Sequence, residues 1–146
     1  MLSWYVSRLS AGPDTQPVRT NGSKVGLMER SFRSRGDVVA DDGELCVIRL
    51  GDQPRLVVAG EIDEYSYKTL IRALASAARD PGEIHIDLAR VEYCDIAGLR
   101  AFVMLATVPG GDHAGPRVVL HQVPPHLVNV LHILGWDTTC GLVIAE

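Results

Sequence analysis

Three acids sit in apolar surroundings: Glu61 and Asp63 within GEID, residues 60–63, and Asp95 within VEYCDIAGLRAF, residues 91–102. A carboxylate among hydrophobes is costly to desolvate, so it must find a partner or shift toward its neutral form. Two chemistries suit it. Paired carboxylates can act as general acid and base. An acid that opens a helix can instead accept from the free N–H groups of the first turn and lie at the positive end of the dipole, which contributes about 1 kcal/mol. Capping accounts for Asp95 and Asp63 without any bond-making, and Glu61 is then a loop acid. Cys94 beside Asp95, with His85 upstream, is the nearest approach to a nucleophile and base, and a buried structural thiol is the plainer reading.

The chain has no motif for other site chemistry. His113, His121, His126 and His132 show no HxH or HExxH spacing. Cys46, Cys94 and Cys140 form no CxxC pair, so neither a metal centre nor a disulfide framework is expected. No P-loop or GxGxxG is present to cradle a phosphate, and no cofactor is called for. A phosphorylated receiver domain would need a lysine near its last strands, but Lys24 and Lys68 are the only lysines.

The composition of the 146 residues, 47% apolar and 22% charged with net charge -4, is that of an ordinary globular chain without a basic surface for nucleic acid or anionic membrane. The start has no charged stretch ahead of a long apolar segment, and AFVMLA is the longest apolar run, so a soluble cytoplasmic protein is expected. Residues 1–43, rich in Ser, Gly, Arg and Asp, lack any sustained period and are expected to form a disordered tail. Residues 44–146 form the folded domain in this reading.

Within the domain, ELCVIRL and RLVVAG flank the turn Gly51-Asp52-Gln53-Pro54 and predict two antiparallel strands. Apolar spacing of three and four predicts a helix over 65–79, capped by Asp63 and stopped by Asp80-Pro81-Gly82. EIHIDL is a third strand, 96–108 a second helix ended by Pro109-Gly110-Gly111, RVVLHQV a fourth strand, 125–134 a third helix and GLVIA a last strand. The order β-β-α-β-α-β-α-β implies an α/β fold: a central, mixed but mostly parallel sheet with right-handed crossovers. The loops carrying Glu61 and Asp95 then emerge at the carboxyl ends of their strands and share one rim.

A helical wheel from Gly98 to Val108 puts Leu99, Phe102, Val103 and Ala106 toward the core and Ala97, Arg100, Ala101 and Met104 on the opposite face. A smooth face with one Met and one Arg beside Asp95 is suited to docking, either with a partner or under the tail or a second copy of the chain. Gly98 could allow close backbone approach or admit an anion.

GEID after a strand, IDLARVEYCDIAGLRAF, and LVNVLHILGWDTTCGLVIA occur in order at suitable separations, and together they resemble the sulfate-transporter and anti-sigma-factor-antagonist (STAS) domain over about 44–145. The resemblance implies a sheet with helices on one face. It also implies a non-catalytic module that binds an anti-sigma factor of the serine-protein kinase type and frees a sigma factor, with homodimers occurring in the family. Glu61, Asp63, Asp95, Ile96, Ala97, Gly98, Arg100, Ala101 and Met104 are the partner-binding candidates.

The family motif reads Asp-Ser-Ser-Gly-Leu, and the residue before the glycine is a Ser or Thr that the partner kinase phosphorylates to break the complex. Here Ile96 and Ala97 fill those places, and neither has a hydroxyl. The resemblance therefore implies either an antagonist not switched at that position, or a sensor or scaffold that binds a nucleotide, a lipid or a larger signalling complex.

Overall fold

Period-two segments in the sequence become strands and period-3.6 segments become helices in a computed structural model, which describes residues 36–51, 55–79, 82–107 and 116–146. The elements are β1 (Gly36–Asp41), β2 (Leu45–Leu50), β3 (Arg55–Ile62), α1 (Tyr67–Ala77), β4 (Glu83–Cys94), α2 (Ile96–Ala106), β5 (Arg117–His121), α3 (Pro125–Ile133), a 3-10 turn (Trp136–Thr138) and β6 (Leu142–Ile144). Pro125 opens α3 and Gly135, at φ +69°, follows its end, where a left-handed residue costs glycine little.

The six strands lie in sequence order, β1-β2-β3-β4-β5-β6. The first two pairings are antiparallel and the remaining three parallel. Each parallel crossover advances one strand in the same direction, so right-handed connections put all three helices on one face. Their buried side chains, Leu70, Phe102 and Leu131 among them, join Val47, Val58 and Ile86 of the sheet in one core cluster. The mixed, mostly parallel sheet expected from the sequence is therefore present, with one strand more.

That strand is a correction. β1 lies within 1–43, the segment expected to be a disordered tail, and pairs with β2 from Gly36↔Leu50 to Asp41↔Cys46. GDVVAD carries only a short apolar signal, with a register shift between Val38 and Ala40, and its pairing energy comes from a neighbour on the far side of a turn. The folded part thus begins no later than Gly36 rather than at 44. Expectations for residues 1–35 and for the turns at 52–54, 80–81 and 108–115 lie outside the described residues.

Candidate partner-binding rim

The main-chain N–H of Asp95 donates to the carbonyl of Ile62 at 3.0 Å, which brings the GEID turn and the start of α2 side by side. The pairing follows from the sheet, because β3 and β4 run parallel through Ile62↔Cys94 and both end at this edge. Asp95 is extended, with φ -79° and ψ 173°, and its Oδ1 accepts from the Gly98 N–H at 2.7 Å. The acid is a helix cap.

Gly98 makes the junction tight. A Cβ there would run into Ile62 Cγ2 and lie 3.2 Å from both Asp95 Oδ1 and Cys94 Sγ. The glycine is buried, so it serves close packing of α2 on the end of β3 and offers no open seat for an anion.

Asp63 works one turn earlier than expected. Its Oδ1 accepts from the N–H groups of Tyr65 and Ser66 at 2.9 and 3.0 Å, closing a turn ahead of α1, whose helix starts at Tyr67. Ser66, only 1% exposed, donates its hydroxyl to the Glu61 carbonyl at 2.8 Å and locks the loop from beneath.

The β1–β2 hairpin reaches the same rim, since the Glu61 N–H donates to the Glu44 carbonyl at 2.9 Å. Within it, Asp42 Oδ1 accepts from the N–H groups of Glu44 and Leu45. The rim therefore gathers acids from three segments: the hairpin, the GEID turn and the start of α2. The hairpin joins the rim only because β1 pairs with β2, a contact that no local pattern in GDVVAD announces.

On α2, Ile96 is 59% exposed, Ala97 and Arg100 are exposed, and Met104 is half-buried. Ala101, placed on the same outer face by the helical wheel, is instead fully buried in the main core and forms no part of the rim. The reason is that α2 packs on α1 as well as on the sheet, so its apolar arc is wider than a single contact requires. Two exposed aromatics also stand at this edge, with no motif in the sequence to announce them. Tyr93 pairs across the ladder with Glu61, and Tyr65 projects from the turn. Tyr93 could have been found as the large residue at an outward position near a strand end.

Cys94 has no base. Its thiol donates weakly to the Asp95 carbonyl at 3.4 Å, and its pKa is pushed up to about 12, first by burial and then by the Asp95 charge beside it. His85 is engaged elsewhere, with Nδ1 2.8 Å from His121 Nε2 and Nε2 3.0 Å from Glu83 Oε1. A thiol held neutral and a histidine committed to other partners do not form an activated pair. Among the described residues, no group of three or more His, Cys, Asp or Glu side chains could hold a metal, and no helix is long and apolar enough to cross a membrane.

An ordered sheet with helices on one face, ending in a capped rim of loops, defines a STAS-type α/β domain. Residues 47–144 match the family model described as Mlab, STAS domain, and the chain belongs to that family. The crystal structure of an anti-sigma factor antagonist from Mycobacterium paratuberculosis is similar in fold, with a TM-score of 0.54 and 25% identity over 71% of this chain and 89% of that one. No curated protein matches the chain.

Proposed function

We propose that the protein is a non-catalytic regulatory module that acts as an anti-sigma factor antagonist, binding an anti-sigma factor of the serine-kinase type so that a sigma factor is released. The observation that carries this reading is the Asp95–Ile62 junction, which presents exposed Ile96 and Ala97 between two acidic turns. An exposed apolar residue ringed by charge suits contact recognition: the apolar centre supplies affinity, and the acids steer a basic partner face.

In this reading Glu61, Asp63, Asp95, Ile96, Ala97, Arg100 and Met104 form the partner surface, and Gly98 holds it together from below. Phosphate on the residue before Gly98 would add nearly two negative charges to an acidic rim, so repulsion would break a complex there. Ala97 cannot accept one. Ser66, the serine of the neighbouring turn, is buried and donates to Glu61. The complex is therefore constitutive at this position, and control passes to the amounts of the two partners.

The test is incubation with a cognate anti-sigma kinase and labelled ATP. A stable complex without label on this chain supports the proposal. Failure to form any complex rejects it in favour of a scaffold or sensor role, which thermal shift against nucleotides and lipids would then probe.

A further inference from the structure

We propose that His85 and His121 form a pH-sensitive latch, which holds the end of β5 against β4 and opens when the pair takes up a second proton. The pair lies on the sheet face opposite the helices, so this inference does not rest on the reading of the rim.

The first observation is the bond itself. His85 Nδ1 lies 2.8 Å from His121 Nε2, with the ring centroids 5.1 Å apart. Stacked ring faces keep their atoms at least about 3.5 Å apart, so the two rings meet through these nitrogens in an N–H···N hydrogen bond. Such a bond needs one bare nitrogen. On its other side His85 Nε2 stands 3.0 Å from Glu83 Oε1, and an ionised carboxylate only accepts, so Nε2 carries a hydrogen. In the neutral pair His85 Nδ1 is then bare and His121 Nε2 donates to it. One added proton can sit on His121 Nδ1 and leave the bond whole. A second puts hydrogen on both facing nitrogens, and the bond must break.

The second observation is the charge around the pair. Glu83, His85 and Asp87 alternate with Ile84 and Ile86, which face the main core, so the three polar side chains share the helix-free side. β3 sets Arg55 beside His85 and β5 brings Arg117 and His121, while β6, one strand further, sets Val143 beside Val119. Both acids already face an arginine: Glu83 Oε2 is 3.4 Å from Arg117 Nη1, and Asp87 Oδ2 is 4.0 Å from Arg55 Nη2. Two acids balance two arginines, so two imidazolium rings in contact would repel each other without compensation. The His85 side chain is 36% exposed, which gives protons from water a direct route to the pair.

The third observation is what the latch restrains. His121 is the last residue of β5, and Gln122 after it has φ +53°, the one left-handed residue other than glycine among those described. An L side chain is crowded there, so the turn is held by its surroundings rather than by its own preference. On one side β5 is tied to β6 by the Ala145 N–H, which donates to the Leu120 carbonyl at 2.8 Å. On the other side the register ends at Asp87↔His121, and the imidazole bond ties that last rung to β4. Opening the latch frees His121 and lets Gln122 relax, which frays β5 from the end that leads into α3.

The test is amide hydrogen exchange on the full chain, read residue by residue by NMR between about pH 7.5 and 5, the range in which histidines take up protons. After correction for the intrinsic pH dependence of exchange, the Ala145 amide should lose at least about tenfold in protection at the lower pH, while the Asp95 amide, which donates to Ile62, changes less than about twofold. The ring nitrogens of His85 and His121 should each register two proton steps, whereas those of His126 register one. His121→Gln and His85→Gln should each abolish the pH-dependent loss at Ala145, and Gln122→Gly should reduce it, because glycine stores no strain in that turn. His132→Asn removes the pairing with Asp137 and should leave the loss intact. Unchanged protection at Ala145 would overturn the proposal, as would independent single-step titration of the two rings or an equal loss at Asp95. A loss that survives in both glutamine variants, or disappears in His132→Asn, would assign the acid sensitivity to other groups and also overturn it.

Discussion

Gly98 lies against Ile62 so closely that the α-carbon of one leaves no room for a methyl group beside the other. This contact, reinforced by the Asp95 N–H donating to the Ile62 carbonyl at 3.0 Å, makes the end of β3 and the start of α2 one rigid unit. Two segments far apart in the chain thereby present one surface.

Gly98→Ala should destabilise the protein. Alanine gains up to about 1 kcal/mol of helix propensity over glycine, but overpacking a buried contact costs about 1–3 kcal/mol, and the second effect wins at a site with no slack. Urea denaturation of Gly98→Ala, Ile62→Ala and the double variant should show a double-mutant cost smaller than the sum, because removing the Ile62 branch makes the room that the added methyl group lacks. Strict additivity would show that the two side chains do not compete for that space.

Asp95→Ala should cost about 1 kcal/mol through loss of the cap on the Gly98 N–H. Asp95→Asn keeps a side-chain acceptor and should lose much less. Equal losses in both, read from urea midpoints at constant slope, would point to charge rather than the cap geometry.

Ala97→Glu and Ile96→Asp should each weaken the complex with the anti-sigma partner by about tenfold or more, or about 1.4 kcal/mol. Both sites are exposed, so the stability of the isolated protein should move by no more than about 0.5 kcal/mol. Unchanged affinity, measured by calorimetry, would remove the start of α2 from the interface.

Cys94 predicts an alkaline limb in stability. The pKa of its folded thiol is raised to about 12, above the ordinary value of about 8.5 in an unfolded chain. The folded state therefore holds its proton where the unfolded state has lost it, so the contribution is fully present below about pH 8.5 and is lost as pH rises toward 12. Denaturation at several pH values between about 8 and 11 should show a downward slope that flattens in Cys94→Ala. An identical slope in the variant would assign it to other groups.

What the sequence determined by itself is the local part. Side-chain period separated strands from helices, and Pro125 and Gly135 marked the limits of α3. The positions of Asp63 and Asp95 before helices announced caps, although Asp63 closes the turn ahead of α1 rather than the helix itself. The lack of a hydroxyl at 96 and 97 needs no coordinates at all. These signals are legible because they depend on neighbours within about four residues along the chain.

Tertiary structure alone decided the rest. A wheel calculated for α2 cannot know that a second helix will pack against it, and so it left fully buried Ala101 on the outside. GDVVAD became β1 because β2 offered it unpaired backbone groups, a condition set by strand order and not by its own side chains. The rim exists because β3 and β4 end together, and the glycine that looks dispensable in a first helical turn is the one residue small enough to let α2 rest on Ile62. Such contacts join residues far apart in the chain, and no local pattern carries them.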